Sequence, residues 1–366
     1  MENKKEEKKI PKILFISRDD GGCGFYRMTQ PASFMKRMGL ADTEVVLTEA
    51  PPEKLLEQDL VVMQEMGSNV ASNIYHFCID NKIPFVSEID DFIQHVSPNN
   101  VSGYSAWNPS TLYIHRAMQM LRSGVGVTVS TNWLAREYFP YHPNIYVVPN
   151  YLNKDMWTNP LSKKKDGKIR IGWAGGNAHA DDLKMISEVL NRIVKESKGK
   201  VVFETLGMTK NELSGVFPMD EFSETCPSCG YEGEKHHYPG EAMENYPLIL
   251  ASKGWDIALA PVVSNSFGNA KSDLKIKEYA ATGIPVIASP VTPYMEASLD
   301  GAQISFANTY EEWYNAIKNL IKDEVKCRDM VKKNKEWVDK YWIQDNAEKQ
   351  FEIYIQLLQN FRNSVK

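Results

Sequence analysis

The sequence predicts an α/β protein made of two doubly wound, Rossmann-like domains in tandem. Strand and helix signals alternate over two long stretches, 10–152 and 168–340. A glycine-rich turn follows the first strand of each stretch, and the alternation lapses between them, at 153–168. A chain of 366 residues is also long enough for two cores, at roughly 150 residues per domain.

In the first stretch, apolar runs predict strands at KILFIS (12–17), EVVLT (44–48), DLVVMQ (59–64), IPFVSEID (83–90), GVGVTVS (124–130) and IYVVPN (145–150). Helical spacing recurs over 31–38, 69–81 and 110–122, the last with Ser110 or Thr111 as cap. The lapse at 153–168 holds Pro160 and Lys163 to Lys165, which read as a solvated linker. In the second stretch, strands are expected at 168–176, 200–207, 255–262 and 284–289, and helices at 181–195, 241–252 and 273–282. Three helical segments follow at 310–321, 324–340 and 344–363, while 208–240 reads as irregular. Such tandem domains are expected to face a cleft at the carboxyl ends of both sheets.

Composition narrows the function. The formal net charge is -5, so charge lends no support to a protein held on nucleic acid by electrostatics alone. Lys318, Lys322, Lys332 and Lys333 are interleaved with acids and read as a solvated face. No apolar run approaches the ~18 residues of a membrane span. The N-terminal charge cluster is not a signal peptide, and five cysteines suit a reducing cytosol, so a cytoplasmic location is expected.

Three segments carry candidate chemistry. The turn Asp19 to Arg27 brings Gly22, Gly24 and Arg27 after the first strand, although its spacing misses the dinucleotide fingerprint. Gly175 and Gly176 hold the equivalent place in the second domain, with His179 beside them; a lone histidine is more often structural than functional. The third segment, SNSFGNAKSDLKIKEYAATGIPVIAS (264–289), runs from a strand through a small-residue loop into a helix. Ser272 or Asp273 is placed to cap that helix, and Lys271 and Lys275 sit at its positive end, an arrangement suited to a diphosphate. Glu278, two turns on from Lys271, is placed to accept hydrogen bonds from ribose hydroxyls. The competing reading is a solvated amphipathic helix, which accounts best for Lys277.

These residues resemble a known family. GGCGFYRMTQPASFM, VSEIDDFI, VSTNWLAREYFPYHPNIYVVPNYL, IGWAGGNAHADDL, DIALAPV and AKSDLKIKEYAATGIPVIAS together resemble the GT-B glycosyltransferases of the large retaining class called family 4, in its phage and bacterial branch. The resemblance implies a GT-B fold, the second domain holding a nucleoside diphosphate sugar, the first taking the acceptor, and a final helix (343–364) crossing back to the first domain. It implies that Glu278 is the ribose-holding member of the family's paired glutamates, whose other member falls at Ala270. Asn269, Lys271 and Asp273 are the candidate replacements. It places Asp90 and Asp91 in the branch's acidic loop, so the catalytic candidates are Lys271, His179 and Asp91, and the donor-binding set is Gly22, Gly24, Arg27, Gly175, Gly176, Asn269, Ser272, Asp273, Lys275 and Glu278. The implied activity is transfer of a sugar with retention, without a catalytic metal or other cofactor, to a glycan or a modified phage DNA base. The alternatives are a sugar-nucleotide epimerase and an inactive sugar-nucleotide-binding protein of the same fold.

One motif stands apart. Cys226-Pro-Ser-Cys229 is half a zinc knuckle, for which His236 and His237 are the nearest further ligands; the ordinary alternative is two free thiols in a loop.

Overall fold

The computed structural model describes residues 10–64, 67–98, 100–158, 162–217 and 235–365. The chain divides into two compact units. One holds the chain through Asp90, Ser110–Pro149 and the C-terminal helix from Ile343. The other holds Asp91–Pro109 and Asn150–Trp342, so the segment after Asp90 leaves the first unit before the chain returns to it.

The first unit is a six-stranded parallel sheet: β1 (Lys12–Ser17), β2 (Asp42–Leu47), β3 (Leu60–Gln64), β4 (Phe85–Ile89), β5 (Gly126–Val129) and β6 (Ile145–Val147), in the order β2-β1-β3-β4-β5-β6. β1 is apolar at successive positions because both faces are covered. Ile13 and Phe15 pack with Met28, Met35 and Val86, whereas Leu14 and Ile16 pack with Ile74, Tyr75 and Phe85 on the other face. The C-terminal helix Ile343–Ser364 joins the first of these cores through Tyr354 and Leu357.

The second unit is a six-stranded parallel sheet of β7 (Ile169–Ala174), β8 (Val201–Gly207), β9 (Lys235–Pro239), β10 (Ile257–Ala260), β11 (Val286–Ala288) and β12 (Ser305–Phe306), in the order β12-β11-β10-β7-β8-β9. Counted within the unit, this is the Rossmann order 3-2-1-4-5-6, which places the topological switch point between β7 and β10. Ligands of such sheets bind outside the carboxyl ends of the strands at that point. The core gathers Ile171, Trp173, Phe203, Ile257 and Leu259 from the sheet with Leu190, Trp313 and Ile317 from the covering helices.

Several expectations are corrected. The stretch 208–240 contains β9, which pairs with β8 in parallel register from Phe203↔Lys235 to Gly207↔Pro239. The helix expected over 181–195 is broken into Ala180–Lys184 and Ser187–Ser197. The linker lysines lie in an exposed loop as expected, with Lys163 anchored at the surface by the Trp255 carbonyl at 2.9 Å and Asp256 at 2.6 Å. Among the described residues no helix is long and apolar enough to cross a membrane.

Candidate functional site

The carboxyl ends of β7 and β10 bring together residues far apart in sequence. After β7 the chain turns through Gly175 and Gly176 into His179. Gly175 is required by close approach: a Cβ there falls 2.7 Å from the Trp173 ring and 3.0 Å from Lys275 Nζ. A Cβ at Gly176 meets nothing within 4 Å, so packing alone does not demand glycine there. His179 Nδ1 lies 2.8 Å from Asp182 Oδ2, and Asp182 Oδ1 accepts from the backbone N–H of Val263 just after β10 at 2.7 Å. Asp182 thus ties the two loops of the switch point to each other.

The nine-residue helix Leu274–Thr282 starts beside them without a side-chain cap. Asp273, expected as a cap, instead pairs its carboxylate with Lys277 Nζ at 2.6 Å. Ser272, the other expected cap, receives a hydrogen bond from Asn150 at 2.9 Å. Among the described residues the amides of Leu274 and Lys275 have no acceptor, which leaves the positive end of the helix open to an anion. Lys277 also departs from its expected solvated place: it is fully buried, with its ammonium 4.0 Å from the centre of the Tyr341 ring.

Lys275 donates to the Ala174 carbonyl at 2.8 Å. Burial pushes its ammonium below the ordinary lysine range, opposed by Glu278 and Asp182 and assisted by Lys271. Burial, with Lys275 and Lys271 nearby, also lowers the His179 imidazole to about 4 against the pull of Asp182. The side chain is therefore neutral at neutral pH. Glu278 is 5% exposed and accepts from the Tyr246 hydroxyl at 3.1 Å. Lys271 lies over the Phe267 ring at 4.2 Å and pairs with Asp91 at 2.8 Å. Asp91 reaches it because Asp91–Pro109 belongs to this unit. Asn269 accepts from the Thr292 amide and hydroxyl at 3.0 and 2.9 Å and so braces two loops. Ala270, where the family's first glutamate falls, is 1% exposed.

The structure thus gathers Lys271, Lys275, Glu278, His179, Gly175, Gly176 and Asp91 in one unit. It adds Asp182, Tyr246 and Phe267, which the sequence reading missed. Asp182 had a signal, since it lies three residues from His179 and one helical turn away. Tyr246 had none; only the fold carries it to Glu278.

The first glycine turn is different: Gly24 and Arg27 are engaged within the fold itself. Asp19 Oδ1 accepts from the amides of Gly21 and Gly24 at 2.9 and 3.1 Å, so a carboxylate of the turn itself occupies two of the donors an anion would need. Gly24 is required by that turn: a Cβ there would lie 1.8 Å from the Asp19 carbonyl oxygen. Gly22 is exposed beside it. Arg27 sits in a π-helical segment, Phe25–Thr29, and is 2% exposed. Its guanidinium grips Glu88 at 2.7 and 3.0 Å and donates to the Val148 carbonyl at 2.5 Å. Thr128 also donates to Glu88. Arg27 therefore clamps the carboxyl ends of the first sheet from inside. Asp90 is 9% exposed, with one oxygen that has no partner among the described residues.

The zinc expectation is corrected in part. His236 and His237 are consecutive on β9 and project to opposite faces, so they cannot both complete one tetrahedral site with a shared cysteine pair. His236 Nδ1 instead lies 3.4 Å from the buried Glu204. Cys226 and Cys229 lie outside the described residues, and among the described residues no group of three metal-binding side chains forms.

No family model matches the chain, and no curated protein sequence matches it. Solved structures do. HepE from Anabaena, solved with UDP and glucose, superposes with a TM-score of 0.68 at 13% identity, over 94% of this chain and 99% of that one. A glycosyltransferase from Rickettsia africae matches with a TM-score of 0.67 at 14% identity, over 96% and 100%. Sucrose-phosphate synthase from Thermosynechococcus elongatus matches with 0.66 at 12% identity, over 96% and 100%. With its two parallel six-stranded sheets, this chain has the GT-B fold of these glycosyltransferases.

Proposed function

We propose that the chain is a glycosyltransferase that takes its sugar from a nucleoside diphosphate sugar, with the second unit binding the donor. The observation that carries this reading is the uncapped start of Leu274–Thr282, with Lys271, Lys275 and Glu278 around it, at the switch point of a Rossmann-ordered sheet. Departure of a nucleoside diphosphate builds charge on phosphate oxygens. A helix end, two lysines and the amide of Gly176 supply compensation without a divalent metal, the Gly175 amide being taken by the Leu206 carbonyl at 2.9 Å. Asp91 holds Lys271 in place, and a phosphate competes with that carboxylate for the same ammonium. Glu278, steadied by Tyr246, takes the ribose hydroxyls. That HepE was solved with UDP-glucose makes this donor the first to try.

The reaction we propose retains the anomeric configuration, the departing phosphate taking the acceptor's proton on the same face of the sugar. The first unit takes the acceptor, a glycan or a modified DNA base. The test is a thermal-shift screen of UDP-, GDP-, ADP- and TDP-sugars. A ligand at 100 times its dissociation constant adds about 2.7 kcal/mol of stability. NMR of the transferred anomeric centre then reads retention or inversion. No shift with any nucleotide sugar overturns the reading, and hydrolysis or transfer of the donor ends the alternative of an inactive binding protein.

A further inference from the structure

Asp182 is 9% exposed and its two oxygens face two different donors. Oδ1 receives the Val263 N–H, a group that can only donate. Oδ2 lies 2.8 Å from His179 Nδ1, and an acceptor there requires the imidazole proton to sit on Nδ1. Nε2 is then a bare lone pair, and it makes no hydrogen bond to the described residues. Lys271 and Lys275 are the cations beside the ring and Asp182 is the facing anion; burial and the two lysines outweigh the carboxylate and keep the ring uncharged.

A neutral imidazole with Nε2 as acceptor cannot bind a phosphate oxygen, which has no proton to share at neutral pH, but it suits a hydroxyl group. The lysines and the helix start already answer the phosphates, and Glu278 the ribose. Beside Asp182, the residues Ser97, Asn100, Asp181, Asn265, Phe267 and Lys271 line a small recess. We infer that Asp182 is a positioning residue that locks the His179 tautomer, so that Nε2 accepts a hydrogen bond from a hydroxyl of the donor sugar. The ligand half of this inference rests on the nucleotide-sugar reading above.

Asp182→Asn separates this role from simple packing. Asparagine keeps the shape but has one acceptor. The Val263 N–H claims it, the amide NH₂ turns toward His179 Nδ1, and the imidazole proton moves to Nε2. The same change behind a catalytic imidazole in a serine protease leaves the geometry intact yet costs about 10⁴ in turnover through the wrong tautomer.

Two measurements on the full chain decide it. Side-chain ¹⁵N NMR of histidine-labelled protein at pH 7 should show His179 protonated on Nδ1 in the wild type and on Nε2 in D182N. Calorimetric titration should show UDP binding unchanged in D182N and His179→Ala, while UDP-glucose, or whichever nucleotide sugar gives the largest melting shift, binds about tenfold or more weakly, as expected for one lost hydrogen bond. A wild-type His179 that is charged or protonated on Nε2 overturns the positioning role, and equal loss of UDP and nucleotide sugar overturns the sugar contact. If D182N does not fold, the wild-type spectrum and the His179→Ala titration decide the two halves. If no nucleotide sugar binds the wild type, the donor reading and the sugar contact fall together, while the spectra still judge the tautomer.

Discussion

Replacing Arg27 by alanine should unfold the first unit far more readily and leave nucleotide binding in the second unit unchanged. Arg27 is 2% exposed and Glu88 is fully buried, joined by two hydrogen bonds of 2.7 and 3.0 Å. Burial raises the Glu88 carboxyl above its ordinary value even against the pull of Arg27 and Thr128. The carboxylate therefore depends on its arginine. Removing one member of a buried pair costs about 3–5 kcal/mol, because the other charge stays behind unpaired. In a unit of about 150 residues each kcal/mol moves the melting point by roughly 2–4 °C, so the loss should be about 6–20 °C. Differential scanning calorimetry of the full chain measures this, with nucleotide titration below the transition as the companion. The double variant Arg27→Met/Glu88→Leu should regain most of the stability, since an apolar pair leaves no stranded charge. A single variant that melts with the wild type but loses nucleotide affinity would refute the structural role of Arg27. So would a double variant no more stable than the single.

Lys271→Ala and Glu278→Ala should each weaken nucleotide-sugar binding by about 1–3 kcal/mol, the scale of a hydrogen bond to a charged group; unchanged affinity in both would remove the donor site from this helix start. His179 should make stability depend on pH. Its folded value of about 4 lies below the roughly 6.5 of an unfolded chain, so protons bind the unfolded state first and stability falls as pH drops from about 6.5 toward 4, by up to about 3 kcal/mol. Melting curves of the wild type and His179→Gln across that window should diverge by this amount, and parallel curves would contradict it. Transfer assayed promptly after EDTA addition should persist, because lysines and amides answer the diphosphate; immediate loss restored by magnesium would overturn the metal-free chemistry. Prolonged chelation tests the Cys226 and Cys229 pair separately, since a structural zinc would be lost with a slow fall in melting temperature.

The sequence by itself determined the layered architecture. β1 matches its expected bounds, Lys12–Ser17, because its run Ile13–Ile16 is buried on both faces and apolar at each position, and such a run is legible without its neighbours. The amphipathic helix Tyr310–Lys322 is legible for a similar reason: Trp313, Ile317 and Leu320 recur on one face behind the capping box of Thr309 and Glu312. β9 escaped because Lys235, His236 and His237 look like surface residues; they are strand only because β8 offers an edge and Glu204 a buried partner. The glycine turns were legible as turns but not as sites. Only the fold decided that Asp19 fills the first, that Arg27 turns inward to Glu88, and that Asp91 travels 180 residues to meet Lys271. Periodicity is a local property and is written in neighbouring residues. The partner of a charge is set by whichever opposite charge or open amide the folded chain brings within about 3 Å, and no local pattern encodes that choice.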